Sequence, residues 1–484
     1  MCSWRIPRSS ARCSAPTRAC APSGRTSSRR SSATGRRILV TGQTQHVALE
    51  LGDIQRGVLS PRPTPYAATY ILFRIDDRGH GRELMRRASA VVTAAADSQS
   101  PLGEAWVSVA VTCYGLKALG VPQESLDTFA WEFRQGMAAR AKALGDTGES
   151  SPENWEPPLG TPDVHVVLVA LAADNALLEA AIDRARSAYD ALPGVTAIWR
   201  QNCHALPTET EPFGYRDGIS HPAVEGSGFA GSNQLEVPLK AGEFVLGYRD
   251  ELGGLQTTEP EVLGRNGTYV VFRKLHQRVA LFRQYLKDNS NSSEDEELLA
   301  AKIMGRWRSG APLALSPRHD DPDLGADRHR NNNFLFAQDD PAGFITPGGC
   351  HVRRGNPRDA SVAGAPRLHR MIRRGTAYGP PLPEGVLEDD GADRGLMFAF
   401  LGAHLGRQFE FVQSEWMNDG VFFGAGKAKD PVVGSNDGSG DFTIPRRPVR
   451  RRLQALPRFV VTRGGEYCFM PGLSALRWLG DLQD

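Results

Sequence analysis

The stretch ATYILFRI at positions 68–75 decides the fold class, because β-branched and aromatic residues at this density predict a β-strand. The segments that follow it alternate between helical and strand-like patterns. They are a helix over 81–96, a strand over 106–112, a helix over 125–140, a strand over 164–172, a helix over 175–192 and a strand over 195–200. Two strand–helix–strand units in succession predict a ferredoxin-like module, in which helices lie on one face of an antiparallel sheet.

The second half of the chain repeats this order of elements. Its patterns predict strands over 244–248, 268–275 and 395–403, helices over 277–287 and 295–308, and an amphipathic stretch over 408–417. We therefore predict an α+β protein of two ferredoxin-like modules, residues 48–225 and 226–484. Residues 309–394 form a long predicted loop rich in Pro, Gly, Arg and Asp, and a loop of that length is usually functional or disordered.

The composition is that of a globular protein, with 40% hydrophobic and 23% charged residues in a chain of 484. No apolar run approaches the roughly 20 residues needed to cross a bilayer, so we expect no membrane span. Residues 1–47 differ from the rest, because their first 40 positions hold nine arginines and no Asp, Glu or Lys. We predict a disordered extension there. A targeting segment stays open, although no apolar run follows Arg29-Arg30 or Arg36-Arg37.

The basic extension does not predict a nucleic-acid partner, because Trp4 is its only aromatic residue. The chain has seven cysteines and no C-x-x-C pair, so neither a zinc site nor a disulfide framework is indicated. Scattered thiols of this kind fit a reducing compartment. We therefore expect a cytoplasmic location, without excluding export.

The segment EPFGYRDGISHP, residues 211–222, is the first candidate for chemistry. Gly214 and Gly218 would let the backbone turn tightly and approach a flat ligand closely, so that the carboxylate of Asp217 projects from a rigid turn. Read alone, G-x-x-D-G is more often an ordinary turn in which the aspartate bonds to its own backbone.

The second candidate comprises PGGCHVRRGNPR, residues 347–358, and LHRMIRRGTAYGP, residues 368–380. A neutral imidazole such as that of His351 is a common axial ligand of haem iron. The guanidinium groups of Arg353 and Arg358 would suit the two haem propionates. Read alone, His351 is more often a surface or hydrogen-bonded loop histidine, and Arg373 one member of a solvated basic run.

Together, and in this order, these segments resemble the dye-decolourising (DyP-type) haem peroxidase family. That family carries G-x-x-D-G, then H-[IV]-R-[RK]-x-N-P-R, then an arginine-rich segment ending in aromatic-Gly-Pro. The matching positions are Gly214 to Gly218, His351 to Arg358 and Arg373 to Pro380. Flanking segments match as well, namely LGDIQRGV from 51, NGTYVVFRKL from 266, GRWRSGAP from 305 and RQFEFVQ from 407. The resemblance covers residues 49–478.

The resemblance implies a peroxidase with a dimeric α+β barrel-type architecture and one haem b per chain. It implies that His351 is the proximal iron ligand, Asp217 the distal acid–base residue and Arg373 the distal arginine. Arg374 differs from Arg373 by one position of register, and the spacing to Tyr378-Gly-Pro favours Arg373. Hydrogen peroxide and a small-molecule reductant would be the partners, and self-association into a homo-oligomer is left open.

The sequence departs from the family pattern at three places. His221 stands where the family usually has Gln, Gly349-Cys350 replaces a more usual small pair, and Ala377 replaces a common Pro. None of these changes removes an acid, a base or a ligand, so they bear on substrate fit more than on chemistry. Electron-relay residues for large dyes would be surface Tyr or Trp. Candidates include Trp307, Tyr378 and Trp416.

Two other classes of function compete with the peroxidase. A haem-handling protein for storage, sensing or iron release would need His351 but neither Asp217 nor Arg373. A structural ferredoxin-like protein without haem would leave the basic loop around His351 unexplained. We therefore predict a peroxidase that oxidises dyes, phenols or similar one-electron donors.

Overall fold

Strand β1 covers Ala67–Ile75 in the computed structural model, and both of its faces are buried. The model describes residues 48–97, 105–233, 235–424 and 426–483. Successive side chains of a strand point to opposite sides of the sheet. Tyr70 and Leu72 accordingly pack in one apolar cluster, and Ile71 and Phe73 pack in another. Burial on both faces explains why the stretch that predicts this strand is almost continuously apolar.

The other strands follow in chain order. They are β2 Trp106–Thr112, β3 Val166–Ala172, β4 Val195–His204, β5 Thr268–Gln277, β6 Ile372–Arg373, β7 Thr376–Tyr378, β8 Gly395–Gly402, β9 Gly440–Ile444, β10 Arg451–Leu456 and β11 Val460–Met470. Strands β9 and β10 form a separate hairpin. The others form one nine-stranded sheet of order β4-β1-β3-β2-β11-β5-β8-β6, in which β7 also pairs with β8.

This sheet contains the ferredoxin-like order twice, first as β4-β1-β3-β2 and then as β11-β5-β8-β6, and the β2–β11 pair joins the two halves. Strands β4 and β7, which belong to opposite ends of the sheet, approach each other. The hydroxyl groups of Tyr70 and Thr376 lie 3.2 Å apart, and the Ala377 N–H donates to the Tyr66 hydroxyl at 2.7 Å. The sheet thus closes into an α+β barrel, which confirms the predicted fold class.

The α-helices are mostly short. They are α1 Arg56–Leu59, α2 Arg78–Val91, α3 Cys113–Ala118, α4 Gln123–Leu126, α5 Trp131–Gln135, α6 Met137–Leu144, α7 Asn175–Tyr189, α8 Glu261–Gly264, α9 Val279–Asp288, α10 Ser293–Met304, α11 Pro322–Ala326, α12 Phe336–Asp339, α13 His351–Gly355 and α14 Leu473–Gly480. Two long helices begin at aspartate caps, where Asp77 accepts the His80 N–H and Asp174 accepts the Leu177 N–H, each at 2.8 Å. The buried sides of α2, α7 and α14 pack in the same apolar cluster as Phe73.

Other helical turns are of the 3₁₀ or π type. The 3₁₀ turns are Gly148–Ser150, Pro152–Asn154, Ala241–Glu243, Pro366–His369 and Gly420–Phe423, and the π turns are Gly406–Glu410 and Val412–Met417. We call the last two the π segment. It corresponds to the amphipathic stretch expected over 408–417. It begins shortly after β8, and some of its side chains line the site described below.

Two predicted elements are wrong. The helix expected over 125–140 is divided into α4, α5 and α6, because Gly136 takes φ +79° between the last two. The strand expected over 244–248 is a series of turns. Gly247 has φ +87° there, and the Leu246 N–H donates to the Gly267 carbonyl instead of to a neighbouring strand.

Strand β11 was not predicted, although it lies at the centre of the sheet. Two adjacent glycines interrupt its apolar pattern, and Gly464 has φ +142° where the register with β5 shifts between Thr462 and Gly464. Glycine within a strand often marks such a bulge. The sequence signal was therefore lost at the position where the two halves join.

The predicted extension over 1–47 lies outside the described residues. Within them, the chain from residue 48 onward belongs to one compact unit, and the module boundary at 225/226 stays a prediction. Among the described residues, no helix combines the length and apolar character that crossing a bilayer requires.

Candidate active site

A cavity of about 270 Å³ lies where β5, β8 and the π segment meet α13 and the turn around residue 217. The structure brings His351, Asp217 and Arg373 together on its wall, although the sequence separates them widely. Most of the remaining wall is apolar. It includes Phe213, Ile219, Leu275, Leu396, Phe398, Phe409, Val412 and Val460.

His351 begins α13 and is partly buried on the cavity wall. Its Nδ1 lies 3.1 Å from Oδ2 of Asp430, whose side chain is fully buried. A ring N–H that donates to a carboxylate fixes the tautomer and orientation, and leaves Nε2 available to a metal. Arg354 of the same helix donates to the carbonyls of Gly349 and Ala428, so it ties α13 to the segment that carries Asp430.

Asp430 is a residue that the sequence did not single out. Its Oδ1 accepts the N–H groups of Val432 and Val433, each at 2.8 Å. Burial alone would raise the pKa of Asp430, but the His351 ring and the Val433 N–H hold that pKa below its ordinary value. An ionised Asp430 can therefore keep the imidazole oriented.

The turn that carries Asp217 is held by a neighbouring carboxylate. Glu211 accepts the N–H groups of Phe213 and Tyr215, each at 3.0 Å, and the side-chain amide of Gln277 at 2.6 Å. Burial raises the pKa of Glu211. This carboxylate also lines the cavity, but its acceptor sites are engaged by the turn.

Gly214 and Gly218 have φ +94° and +80°, so the turn needs glycine at both places. Neither residue is part of the cavity lining. A Cβ at Gly214 would lie 2.9 Å from Nη1 of Arg308. The close approach is therefore to a side chain of the protein, and we assign both glycines to turn geometry rather than to contact with a cofactor.

Asp217 is about one third exposed, and its Oδ2 lies 3.3 Å from Nη2 of Arg62. The Arg62 guanidinium in turn lies 4.1 Å from the centroid of the Tyr66 ring. The Asp217 carboxylate thus pairs with a cation that is distant in the sequence, and not with its own backbone. That arrangement differs from the ordinary aspartate turn, and it leaves the carboxylate on the cavity wall.

Arg373 ends β6 and Arg374 follows it, and the two side chains line different cavities. Arg373 lines the cavity, and its Nη2 donates to the Ile219 carbonyl at 2.8 Å. Arg374 lines a second, smaller cavity inside the barrel and donates to the Leu59 carbonyl at 3.2 Å. The geometry therefore favours Arg373 as the arginine of the main cavity.

Arg353 and Arg358 do not line the cavity. Arg353 is fully buried and donates to the carbonyls of Asp340 and Thr346, at 2.9 and 2.8 Å. Arg358 donates to the Asn332 carbonyl at 2.8 Å. In this structure their guanidinium groups shape the loop around α13, and the binding of propionates by these two arginines stays a prediction.

Four other arginines line the cavity, namely Arg216, Arg273, Arg306 and Arg370, and Arg273 is paired with the buried Asp146. Arg370 forms a bidentate pair with Glu236 at 2.7 and 2.9 Å. Arg306 donates to backbone carbonyls and to the Asn332 amide oxygen. Burial, and to a smaller extent Arg373, lowers the pKa of Arg306 to about 9, which indicates a cation that lacks a compensating carboxylate. Arg306 and Arg370 lie in segments that resemble the family, so this resemblance is the signal by which the sequence could have identified them.

The three departures from the family pattern all fall on buried or partly buried positions. Burial, followed by the charges of Arg374 and Arg373, lowers the pKa of His221 well below its ordinary value, so this ring is neutral. Cys350 is fully buried, and Ala377 is a buried residue of β7. None of the three is part of the cavity lining.

The candidate relay residues Trp307, Tyr378 and Trp416 are all buried. Trp307 lines the cavity, and its indole N–H donates to the Ser316 carbonyl at 2.7 Å. A surface donor cannot touch any of these three rings directly. The identity of a relay residue stays a prediction.

Comparison with known proteins identifies the family to which this chain belongs. A family model described as the DyP dimeric alpha+beta barrel domain matches residues 53–194. A dye-decolorizing peroxidase of Mycena epipterygia is 34% identical over 410 residues, which are 76% of this chain and 75% of that protein. The dye-decolorizing peroxidase msp1 of Mycetinis scorodonius is 33% identical over 404 residues, 77% of this chain and 75% of that protein.

A solved structure of a dye-decolorizing peroxidase in complex with 2,6-dimethoxyphenol superposes with a TM-score of 0.77 at 28% identity, over 89% of this chain and 100% of that one. The closed α+β barrel and the cavity with a carboxylate-supported histidine agree with this likeness. The chain belongs to the dye-decolourising peroxidase family, and it is a haem peroxidase of that type.

If His351 is the iron ligand, as the sequence predicts, replacing Asp430 with Asn should change the electronic properties of that ligand. The amide keeps an oxygen for the backbone donors, but it removes the charge that makes the imidazole basic. We expect the iron reduction potential to rise and haem affinity to fall by roughly 10 to 100-fold. Spectroelectrochemistry and haem titration measure both quantities. Asp437→Asn, on an exposed turn, is the control, and equal potentials in the two variants would contradict the role of Asp430.

Proposed function

We propose that the chain holds one haem b and uses it to reduce hydrogen peroxide while it oxidises dyes, phenols or similar one-electron donors. The observation that carries this proposal is the position of His351, Asp217 and Arg373 on the wall of a single cavity. An axial imidazole, a carboxylate and a guanidinium are the groups that peroxide cleavage at haem requires.

The residues on the cavity wall fit a haem. His351 would bind the iron through Nε2, since Asp430 occupies Nδ1. The apolar wall suits the flat macrocycle, and Arg306 and Arg370 are the cavity cations that suit its propionates. When bound, the haem as a whole would supply the two electrons that reduce peroxide, and the donor would return them one at a time.

Asp217 and Arg373 would carry out the proton and charge steps on the peroxide side. The Asp217 carboxylate accepts a proton from one oxygen of hydrogen peroxide and returns it to the oxygen that departs as water. Arg373, a permanent cation, stabilises the negative charge that develops on the departing oxygen. Arg373 and Asp217 are close enough for their charges to interact.

The phenol bound in a similar solved structure supports the donor class. A phenol of the size of 2,6-dimethoxyphenol is the small donor that we propose for this chain. Larger dyes need a side chain that passes electrons inward. Trp307 is the relay candidate whose ring borders the cavity.

The haem-handling alternative is less well supported. It would need His351 alone, whereas Asp217 and Arg373 also line the cavity and each is held there by a specific partner. A buried cation and a carboxylate beside the ligand site have a direct use in peroxide cleavage. We therefore favour turnover over storage or iron release.

We further propose two modules that meet at 225/226, a cytoplasmic location and self-association into a homo-oligomer. Free thiols support a reducing compartment, because Cys113, Cys203, Cys350 and Cys468 are all unpaired and buried. Sedimentation velocity would measure the oligomeric state, and cell fractionation would measure the location.

Replacing Arg373 with Leu tests the enzyme against the haem carrier. Loss of one preorganised donor typically costs about 100 to 1000-fold in rate, roughly 3–4 kcal/mol. We expect Arg373→Leu to keep haem near the wild-type level and to lose peroxide-dependent dye oxidation by that factor. Haem absorbance and steady-state dye oxidation are the two measurements.

Arg374→Leu is the matched control for register, since its side chain lines the barrel cavity. It should keep most of the activity per haem. If the wild-type protein carries haem but turns over no dye or phenol with peroxide, and Arg373→Leu behaves identically, the peroxidase proposal is overturned and haem handling replaces it.

A further inference from the structure

A second cluster of ionisable side chains lies outside the haem cavity. It consists of Glu243, Asp250 and His404, and one ligand atom from each lies within 4.8 Å of the other two. Glu243 ends a 3₁₀ turn, and Asp250 belongs to the turn that follows. His404 lies two residues after the end of β8. Glu243 and Asp250 are 1% and 5% exposed, so water compensates little of their charge.

The ring of His404 is oriented as that of a metal ligand. One ring nitrogen donates to the Gly242 backbone. The other, Nε2, lies 3.3 Å from Oδ2 of Asp250 and makes no hydrogen bond with it. A ring nitrogen without a hydrogen-bond partner and a carboxylate oxygen therefore face each other, and both are electron-pair donors that a cation can bind.

The two carboxylates of the cluster share a single guanidinium. Nη2 of Arg407 lies 2.7 Å from Oε1 of Glu243 and 3.1 Å from Oδ2 of Asp250, and thus bridges the two carboxylates. Oε2 of Glu243 is buried and, among the described residues, has no hydrogen-bond partner. One guanidinium faces two carboxylates, and in the described part of the chain no second Arg or Lys pairs with either of them. Buried charges are normally paired or coordinate a metal.

The geometry points to a divalent-cation site formed by the carboxylates of Glu243 and Asp250 and Nε2 of His404. Two oxygen donors and one imidazole suit a first-row divalent ion such as Mn²⁺ or Zn²⁺. Three protein ligands leave further coordination positions for water.

The ion would stabilise the segment behind the haem cavity. Gln408 of the π segment donates to the carbonyls of Glu243 and Arg370, and its neighbour Phe409 lines the cavity. A metal held by Glu243, Asp250 and His404 would join the loop over 241–254 to this segment. We therefore assign it a structural role.

Manganese binding to the haem-loaded protein, after treatment with a chelator, tests the site. Titration followed by the electron paramagnetic resonance of free Mn²⁺ should show one ion bound per chain, and Zn²⁺ should displace it. Asp250→Asn and His404→Gln should each weaken binding by about ten-fold or more. Glu251→Gln, a neighbouring carboxylate paired with Arg367, should bind as the wild type does. Haem absorbance per chain checks that each variant is folded.

Arg407→Gln distinguishes a metal site from a complete ion-pair network. Removal of the competing cation should tighten Mn²⁺ binding, because both carboxylates then face the ion alone. The inference is overturned if the wild type binds neither Mn²⁺ nor Zn²⁺, or if Asp250→Asn and His404→Gln bind as tightly as the wild type does. These outcomes are independent of peroxidase activity.

Discussion

His351→Ala should yield a folded protein that has lost most of its haem. Among the described residues, His351 is the only one that places an imidazole on the cavity wall, and Asp430 orients its ring. Loss of a supporting partner alone typically costs 10 to 100-fold in metal affinity, so loss of the ligand should weaken haem binding by about 100-fold or more. The Soret absorbance per chain measures the loss, and circular dichroism measures the fold.

His369→Ala is the control for this change. The His369 ring stacks on Phe411 at 3.9 Å between centroids and bonds to the Arg407 carbonyl, so it does not reach the cavity. Its haem content should stay normal. Imidazole added to the solution should partly restore haem binding in His351→Ala, because it can occupy the vacated position beside Asp430. Normal haem content and unchanged ligand-field bands in His351→Ala would remove His351 as the iron ligand.

The sequence predicted those strands that are buried on both faces of the sheet. Strands such as β1 and β3 are buried on both faces, so nearly every position is apolar and the pattern is unambiguous. Strand β11 is equally central, but Gly464 and Gly465 allow a bulge there and break the pattern. Local composition thus predicts a strand only where the backbone is regular.

The sequence also placed the main chemical groups, because the family motifs contain them. It did not indicate Asp430 or Arg62, which bond to His351 and Asp217 across 79 and 155 residues of chain. Such pairs are created by the closure of the barrel, and no local spacing encodes them. Carboxylates and arginines are frequent in this chain, so their number gave no further signal.

Arg353 and Arg358 show that nearness in the sequence does not determine where a side chain points. Both stand in the segment that carries the ligand, and a cation close in sequence to a haem ligand is a natural propionate partner. In the folded chain their guanidinium groups donate to backbone carbonyls of the surrounding loop. Proximity along the chain therefore identified the segment correctly, but not the direction of each side chain.

Asp217→Asn should lower the rate of peroxide activation by roughly 100 to 10,000-fold, the range that a positioned general base contributes. The amide still has an oxygen for Arg62, so the turn should stay intact, but it cannot accept a proton. Stopped-flow absorbance after mixing with peroxide measures the rate.

Steady-state dye oxidation does not replace that measurement, since the later electron transfers gain from protons and can favour acid. Asp389→Asn is the matched control, because Asp389 accepts the Gly391 N–H in an exposed turn and lies outside the cavity. It should leave the rate unchanged. Wild-type rates in Asp217→Asn would show that another group moves the proton. Glu211→Gln would then examine the other carboxylate on the wall, whose oxygens are engaged by hydrogen bonds and make it the weaker base candidate.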